Sequence, residues 1–439
     1  MRSKTFRGGV YPPEAKDKTA CLPIEKLTAP EKVFIPLLQH FGKPARPIVK
    51  KGDPVLLGQK IGEPDSPFSS AVHASVSGVV LAVEPFPFPT GASIPAVAIQ
   101  NDGRDQGSAA AEPLPDPFSL KPEDIVSKIC EAGIVGMGGA AFPTAVKLSP
   151  PPGKTIDTLI INGCECEPIQ TADYRLMLEH PSDILRGAEL LRRAVGAENI
   201  LVAVEDNKAE ALEALRSLAD GLPVSFRLLK TKYPQGAEKM LIHSLLSRKV
   251  PRGGLPFDVG VLVQNVATSM ATWEAVARNK PLYERVLTCS GSSIHHPKNF
   301  LVRIGTPVGF LVEACGGLTE DAALLVYGGP MMGLAQAGLD SVVIKSTTGI
   351  LAFPQADSAP EQPCIRCARC VEHCPMGLVP TLLAKLARFD RTDAASTWGN
   401  MDCIECGCCQ YSCPARIPLV HWIRLGKSRI TEEKKKRAA

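Results

Sequence analysis

Two runs of cysteine carry the clearest chemistry in this chain. The first is Cys364-Ile-Arg-Cys367-Ala-Arg-Cys370-Val-Glu-His-Cys374-Pro375, and the second is Cys403-Ile-Glu-Cys406-Gly-Cys-Cys409-Gln-Tyr-Ser-Cys413-Pro414. Both read C-x2-C-x2-C-x3-C-P, a spacing that holds a pair of [4Fe–4S] cubanes. Three thiolates close in sequence wrap one face of a cubane. The x3 step and the proline turn the fourth cysteine away, toward the cluster of the other run. One cluster is therefore expected on Cys364, Cys367, Cys370 and Cys413, the other on Cys403, Cys406, Cys409 and Cys374. A ninth thiol, Cys408, would give spacings of x1 and x4 if it replaced Cys409, so it is left out of the set. Zinc knuckles pair two C-x2-C units and need neither the third cysteine nor a fourth followed by proline. Two cubanes held this way suit a one-electron relay better than catalysis at the clusters.

Two further stretches invite a nucleotide. Gly133-Ile-Val-Gly136-Met-Gly138-Gly139-Ala-Ala-Phe142-Pro143-Thr144-Ala-Val-Lys147 is glycine-rich. Glycines let a backbone approach a phosphate, and a helix start offers free N–H groups. Many such loops are plain turns. This one precedes the first clear strand of its block, so it is not the dinucleotide fingerprint. Asn162-Gly-Cys-Glu165-Cys-Glu167-Pro168 follows, running on to Asp173 and Arg175. It sits at the carboxyl end of a predicted strand, where open α/β sheets place ligands. Alone, such glutamates are usually solvated, and the thiols of Cys164 and Cys166 read as ordinary loop cysteines rather than a metal pair.

The elements that must position these groups divide the chain into blocks. Short apolar runs with Gly and Pro turns, Val49–Gly62 and Val72–Val83, predict a small β barrel or sandwich over residues 1–105. A Pro- and Ala-rich linker spans 106–120. Strands are expected at Thr158–Ile161, Ile200–Val204, Val224–Leu229 and Val259–Val263. Helices are expected at Ile184–Val195, Lys208–Leu218, Ala237–Arg248 and Ala271–Arg278. This alternation predicts an α/β domain with a mainly parallel sheet over 121–267. A β-rich module covers 268–353, a second linker 354–363, a helical cluster domain 364–425 and a basic tail 426–439. Gly377–Arg388 has the periodicity of a helix joining the two runs.

Composition narrows the class. Hydrophobic residues make up 45% and charged residues 21%, with a net charge of +4, so there is no nucleic-acid footprint. No apolar run is long enough for a membrane span, and no signal peptide is evident at the N-terminus. Clustered cysteines in such a chain predict metal binding in the cytoplasm. Cys21, Cys130, Cys289 and Cys315 are expected to be small buried residues. His373 and the pair His295-His296 are expected at the surface, and Lys434–Arg437 in a solvated tail.

In this order, "GMGGAAFPTAVKL", "NGCECEPIQTADYR" and "NVAT" (Asn265–Thr268) resemble the flavin- and NADH-binding subunits of respiratory complex I and related hydrogenases. The opening "FRGGVYPPEAK" and the order barrel, flavin domain, β-grasp module and twin clusters resemble the RnfC family of the Rnf ion-translocating oxidoreductases. The barrel is similar to lipoyl-type modules but has no lysine at the hairpin tip, which implies a scaffold or docking module. The resemblance implies non-covalent FMN and NAD(H) as substrate. By it, Gly136, Gly138 and Gly139 approach the flavin, Lys147 faces its phosphate, and Asn162, Asn265 and Thr268 hold it. Phe142 and Glu167 line the nicotinamide side, and Glu165 belongs to the same set. Cys164 stands where the complex I loop has an acidic residue, and Tyr233–Leu241 replaces that family's second glycine-rich loop. The family further implies peripheral docking on membrane-embedded partner subunits at the cytoplasmic face. The rival readings are a soluble reductase, such as a cobalamin reductase or hydrogenase diaphorase arm, and a flavin-free carrier.

Overall fold

A computed structural model describes residues 5–107, 114–355 and 360–438. Both expected linkers fall partly outside the described residues. The centre is a four-stranded sheet, ordered Val224–Leu229, Asn199–Glu205, Thr158–Gly163, Val261–Asn265, with every pair parallel. Three of its strands are apolar on both faces because helices cover both sides, and the edge strand Val224–Leu229 is half exposed. The strand order runs outward from Thr158–Gly163 in both directions. A topological switch point therefore lies between that strand and Val261–Asn265, and Asn162 and Asn265 are register partners at its carboxyl end. Ligands bind in such crevices.

The helix after the fourth strand starts earlier than its periodicity predicts, at Val266–Arg278, because Asn265 caps it by accepting from the Ala267 N–H at 2.8 Å. It packs on Pro181–Val195, where Ser269 Oγ donates to Ile184 O at 2.8 Å. The expected boundary at 267/268 thus falls inside a helix of the flavin-like unit. The expected boundary at 425/426 falls inside another helix, Leu419–Ala438, which Glu405 holds through Arg424 and Lys427. Lys434 to Arg437 are exposed near its end.

The N-terminal block forms a four-stranded and a three-stranded sheet. Its core residues Val33, Ile61 and Val72 belong to the same apolar cluster as Ile129, Ile161 and Leu190 of the α/β unit. It also gives up a strand, since Ile24–Lys26 pairs in parallel with Lys298–Arg303 at the edge of the six-stranded β-rich sheet. Cys289 and Cys315 are buried as expected, whereas Cys21 and Cys130 are exposed. Cys130 is the penultimate residue of its helix, while that helix buries Ile125 and Ile129.

Barrel, α/β unit and β-rich module meet at Lys345, whose Nζ donates to Ala71 O and Gly133 O, each at 2.7 Å. His73 lies beside it. Burial, then the charges of Lys345 and Lys60, push its pKa down to about 3. Folding lowers this pKa, so the stability it contributes is complete above about pH 6.5 and is lost as the pH falls toward 3. Acid should weaken this junction by about 2 kcal/mol at pH 5 from His73 alone. Melting temperatures from pH 7 to 5 should fall less steeply for His73→Gln than for the parent; equal slopes would refute this.

Candidate functional site: two cysteine cradles and a glycine-loop crevice

The two cysteine runs fold alike. Arg366 and Ala368 take positive φ of 58°, and Glu405 and Gly407, at the matching positions, take 56° and 81°. Each loop is left-handed on both sides of its second cysteine and then enters a short helix, Arg369–Glu372 or Cys408–Tyr411. Burial raises the Cys370 thiol, and the neighbouring thiols Cys413, Cys364 and Cys367 raise it further. Burial likewise raises Cys409, followed by Cys403, Cys406 and Cys374. The fold therefore groups the eight thiols in the crossed sets. Cys374, Cys403, Cys406 and Cys409 line one apolar cavity with Leu383 and Ile423. Among the described residues, no three His, Cys, Asp or Glu side chains converge on a point for a single metal ion. A cubane has a different requirement, because each thiolate reaches a different iron. Backbone N–H groups point at sulfur from Glu405 to Cys403 at 3.3 Å and from Leu378 to Cys374 at 3.4 Å. Such bonds tune a cluster's potential.

The two cradles differ in exposure. Cys406 and Cys409 are buried, whereas Cys364 and Cys367 are exposed and Ile365 between them is 68% exposed. The buried cradle faces the α/β unit, where Cys406, Cys408 and Ile404 pack with Tyr233, Val10 and Cys166. The Cys408 thiol lies 3.9 Å from Tyr233 O and beside the Cys406 thiol.

At the switch point, the glycine loop is closed at its base by Gly136 N–H to Phe142 O at 2.9 Å. Its tip lies against Asn265: a Cβ on Gly138 would sit 3.4 Å from the Asn265 side chain. Gly139 takes φ +111°, and a Cβ built there would meet nothing within 4 Å, so open space borders the tip. Thr268 Oγ1 accepts from Met137 N–H at 2.9 Å and Asn265 Nδ2 donates to Asp173 Oδ2 at 2.6 Å. Open space thus borders the loop tip and Asn265, with Thr268 bracing the loop from its buried side; a flavin bound here would be held by Gly136, Gly138, Gly139 and Asn265, in a loop shape that Thr268 maintains. Thr268→Val would keep the shape and strand the Met137 N–H, at a cost of about 1–3 kcal/mol. It should lower the flavin content of purified protein severalfold; full retention would take Thr268 out of the cradle.

Other expected contacts are taken up by protein partners. Lys147 Nζ donates to Glu238 Oε1 at 2.6 Å and to Val263 O at 2.5 Å. Asn162 braces two loops, donating to Gly236 O and accepting from Cys164 N–H. Glu165 caps the helix Ala172–Glu179 through the N–H groups of Asp173 and Tyr174. Glu167 accepts from the Met331 and Met332 N–H groups, both at 3.0 Å, and from Tyr233 OH at 3.4 Å.

Sequence reading missed several functional neighbours. Lys16 Nζ donates to the carbonyls of Glu165, Glu167 and Gln170 and so pins the acidic loop. Burial, then Glu165, raise the Asp173 carboxyl to about 7 despite the Asn265 hydrogen bond. Arg285 is buried beside the glycine loop, its Nη2 donating to Met137 O at 3.4 Å. Gly9 N–H donates to His373 O at 2.9 Å, and Val10 exchanges both backbone bonds with Tyr233. The opening arm thus joins the buried cluster cradle to the α/β unit. These contacts span long stretches of chain and leave no local pattern.

A flavin cradle at the switch point of a parallel sheet, followed by paired cubane cradles, defines a multidomain flavin/iron–sulfur oxidoreductase subunit. Residues 4–104 match the family described as "RnfC Barrel sandwich hybrid domain", and residues 129–274 match "Nuo51 FMN-binding domain". Residues 286–335 match "SLBB domain" and 357–414 match "4Fe-4S dicluster domain". The C subunit of a proton-translocating ferredoxin:NAD(+) oxidoreductase complex from Clostridium ljungdahlii is 45% identical, over 97% of this chain and 94% of that protein. The C subunit of a Na(+)-translocating counterpart from Acetobacterium woodii is 42% identical, over 99% of each chain. The chain belongs to the RnfC family, the C subunits of ion-translocating ferredoxin:NAD(+) oxidoreductase complexes. A NAD+-reducing [NiFe]-hydrogenase structure shares the fold, with a TM-score of 0.50 and 20% identity over 72% of this chain and 64% of that one.

Proposed function

We propose that this chain is the NAD(H)-facing electron-transfer arm of a membrane-bound Rnf-type complex, peripheral at the cytoplasmic face. A flavin, when bound, supplies exchange between hydride and single-electron chemistry. The observation that carries the reading is the asymmetry of the two cysteine cradles. The cradle of Cys374, Cys403, Cys406 and Cys409 packs against the α/β unit through Tyr233 and Val10. The cradle of Cys364, Cys367, Cys370 and Cys413 opens to solvent. This arrangement has an inner station for the nucleotide side and an outer station for a partner. Among the described residues no helix is long and apolar enough to cross a membrane, so ion passage is assigned to partner subunits. Isolation under anaerobic, native conditions tests the reading. The chain should co-purify with integral membrane subunits, contain flavin, iron and sulfide, and have its cluster absorbance bleached by NADH. A purely soluble partner would favour the reductase class, and flavin-free protein would favour a simple carrier.

A further inference from the structure

Two phenyl rings of the N-terminal barrel stand beside the glycine loop and are poorly covered. Phe41 is 61% exposed and Phe68 47%. Phe41 stacks on Phe142, the residue that closes the glycine loop, with ring centroids 5.7 Å apart and planes at 27°. Phe68 meets Phe142 edge-on at 6.1 Å. The placement is rigid. Phe41 N–H donates to Ala141 O at 3.0 Å, and Lys43 N–H donates to Phe68 O at 2.9 Å. Gly42 has φ +123°, and a Cβ there would lie 1.8 Å from Phe68 O, so the two barrel loops fit only around a glycine. Exposed phenyls fixed at the base of a cofactor loop suit a flat aromatic ligand, because ring faces stack on bases with little regard for sequence or edge groups.

We propose that Phe41 and Phe68, with Phe142, form an aromatic rim that stacks the adenine ring of NAD(H), so that the barrel supplies part of the dinucleotide site and Phe142 serves the adenine rather than the nicotinamide side that the resemblance implies. The inference rests on the NAD(H) reading above. The loop has two ends: its tip lies on Asn265 at the flavin cradle, and its base lies on the barrel. A dinucleotide that delivers its nicotinamide at the tip has its second ring left for the base. The shared apolar core of barrel and α/β unit fits a barrel that is part of the site rather than a mobile appendage.

The test uses the complete, cofactor-loaded chain with ferricyanide as acceptor. Phe41→Ala and Phe68→Ala should each raise KM for NADH about tenfold, the loss of roughly one base–ring stack, and leave kcat unchanged. KM for reduced nicotinamide mononucleotide, which has no adenine, should stay the same. Calorimetric binding of ADP-ribose should weaken by the same factor, and Phe41→Trp should bind as the parent does. Equal changes for both reductants, or unchanged ADP-ribose binding, overturn the proposal. So does a loss of co-purifying membrane subunits with NADH kinetics intact, which would make the rim a partner contact. Failure of the parent chain itself to oxidise NADH or bind ADP-ribose would instead overturn the NAD(H) reading.

Discussion

Cys374→Ser should empty the cluster of the second cysteine run, although Cys374 lies in the first. Its thiol shares a cavity with Cys403, Cys406 and Cys409, whereas Cys413 is the neighbour of Cys370. Serine oxygen is a harder and poorer ligand for iron than thiolate. Anaerobically prepared Cys374→Ser protein should therefore hold roughly half the parent's iron and sulfide, with its flavin retained. Double variants make the crossing visible. Cys374→Ser with Cys403→Ser should lose no more iron than either single change, because both strike one cluster. Cys374→Ser with Cys364→Ser should lose nearly all of it. The opposite pattern would mean that each run keeps its own fourth ligand. Stability should separate the two sites as well. The emptied cavity of Cys374 adjoins the arm that Gly9 and Val10 bond in place, so its loss should loosen the seam to the α/β unit. Cys413→Ser empties the exposed cradle and should lower the melting temperature less.

What the sequence announces and what it conceals follow one physical rule. The cysteine sets are legible because ligation by a cubane imposes a short, fixed spacing. The inner parallel strands are legible because burial on both faces makes continuous apolar runs, as in Asn199–Glu205; the edge strand Val224–Leu229 is found at the expected residues although it is half exposed. The glycine loop is legible as a loop, and Asn265 as its neighbour only through family resemblance. Contacts between distant segments are silent. Nothing local in Ile24–Lys26 signals that it will extend a sheet whose next strand is Lys298–Arg303. Lys16 reads as one more surface lysine until its ammonium is found on three carbonyls of the acidic loop. Phe41 and Phe68 read as barrel residues until the fold sets them against Phe142. Glu165 and Glu167 look alike in sequence. One caps a helix and the other reaches into a different module, a distinction made by the course of the chain after Pro168.

Glu167 carries the second large expectation. The resemblance implies a nicotinamide-facing carboxylate, and that role predicts a raised KM for NADH in Glu167→Gln. The geometry predicts another outcome. Both carboxylate oxygens are engaged by the turn Gly329–Gly333 of the β-rich module, and burial raises the pKa of the group. That turn in turn abuts the buried cluster cradle, since a Cβ on Gly407 would lie 2.9 Å from Met331 O. Glu167 thus clasps three modules at the seam where electrons must cross. An amide has one acceptor oxygen, so Glu167→Gln would set an NH2 group against the Met331 or the Met332 backbone N–H. Loss of one charge-assisted bond there costs about 1.5–3 kcal/mol. Ferricyanide reduction by NADH should be nearly unaffected, while NADH-dependent bleaching of the clusters should slow severalfold, because a loosened seam holds the buried cradle against the α/β unit for less of the time. Gly329→Ala attacks the same clasp from the other side, because its Cβ would sit 2.2 Å from Glu167 Oε2. It leaves the Glu167 carboxylate and its charge in place and disturbs only the turn that holds it, so it should reproduce the slow bleaching with the same KM. If Glu167→Gln raises KM and Gly329→Ala does nothing, the carboxylate serves the nucleotide and the seam is held by the opening arm alone.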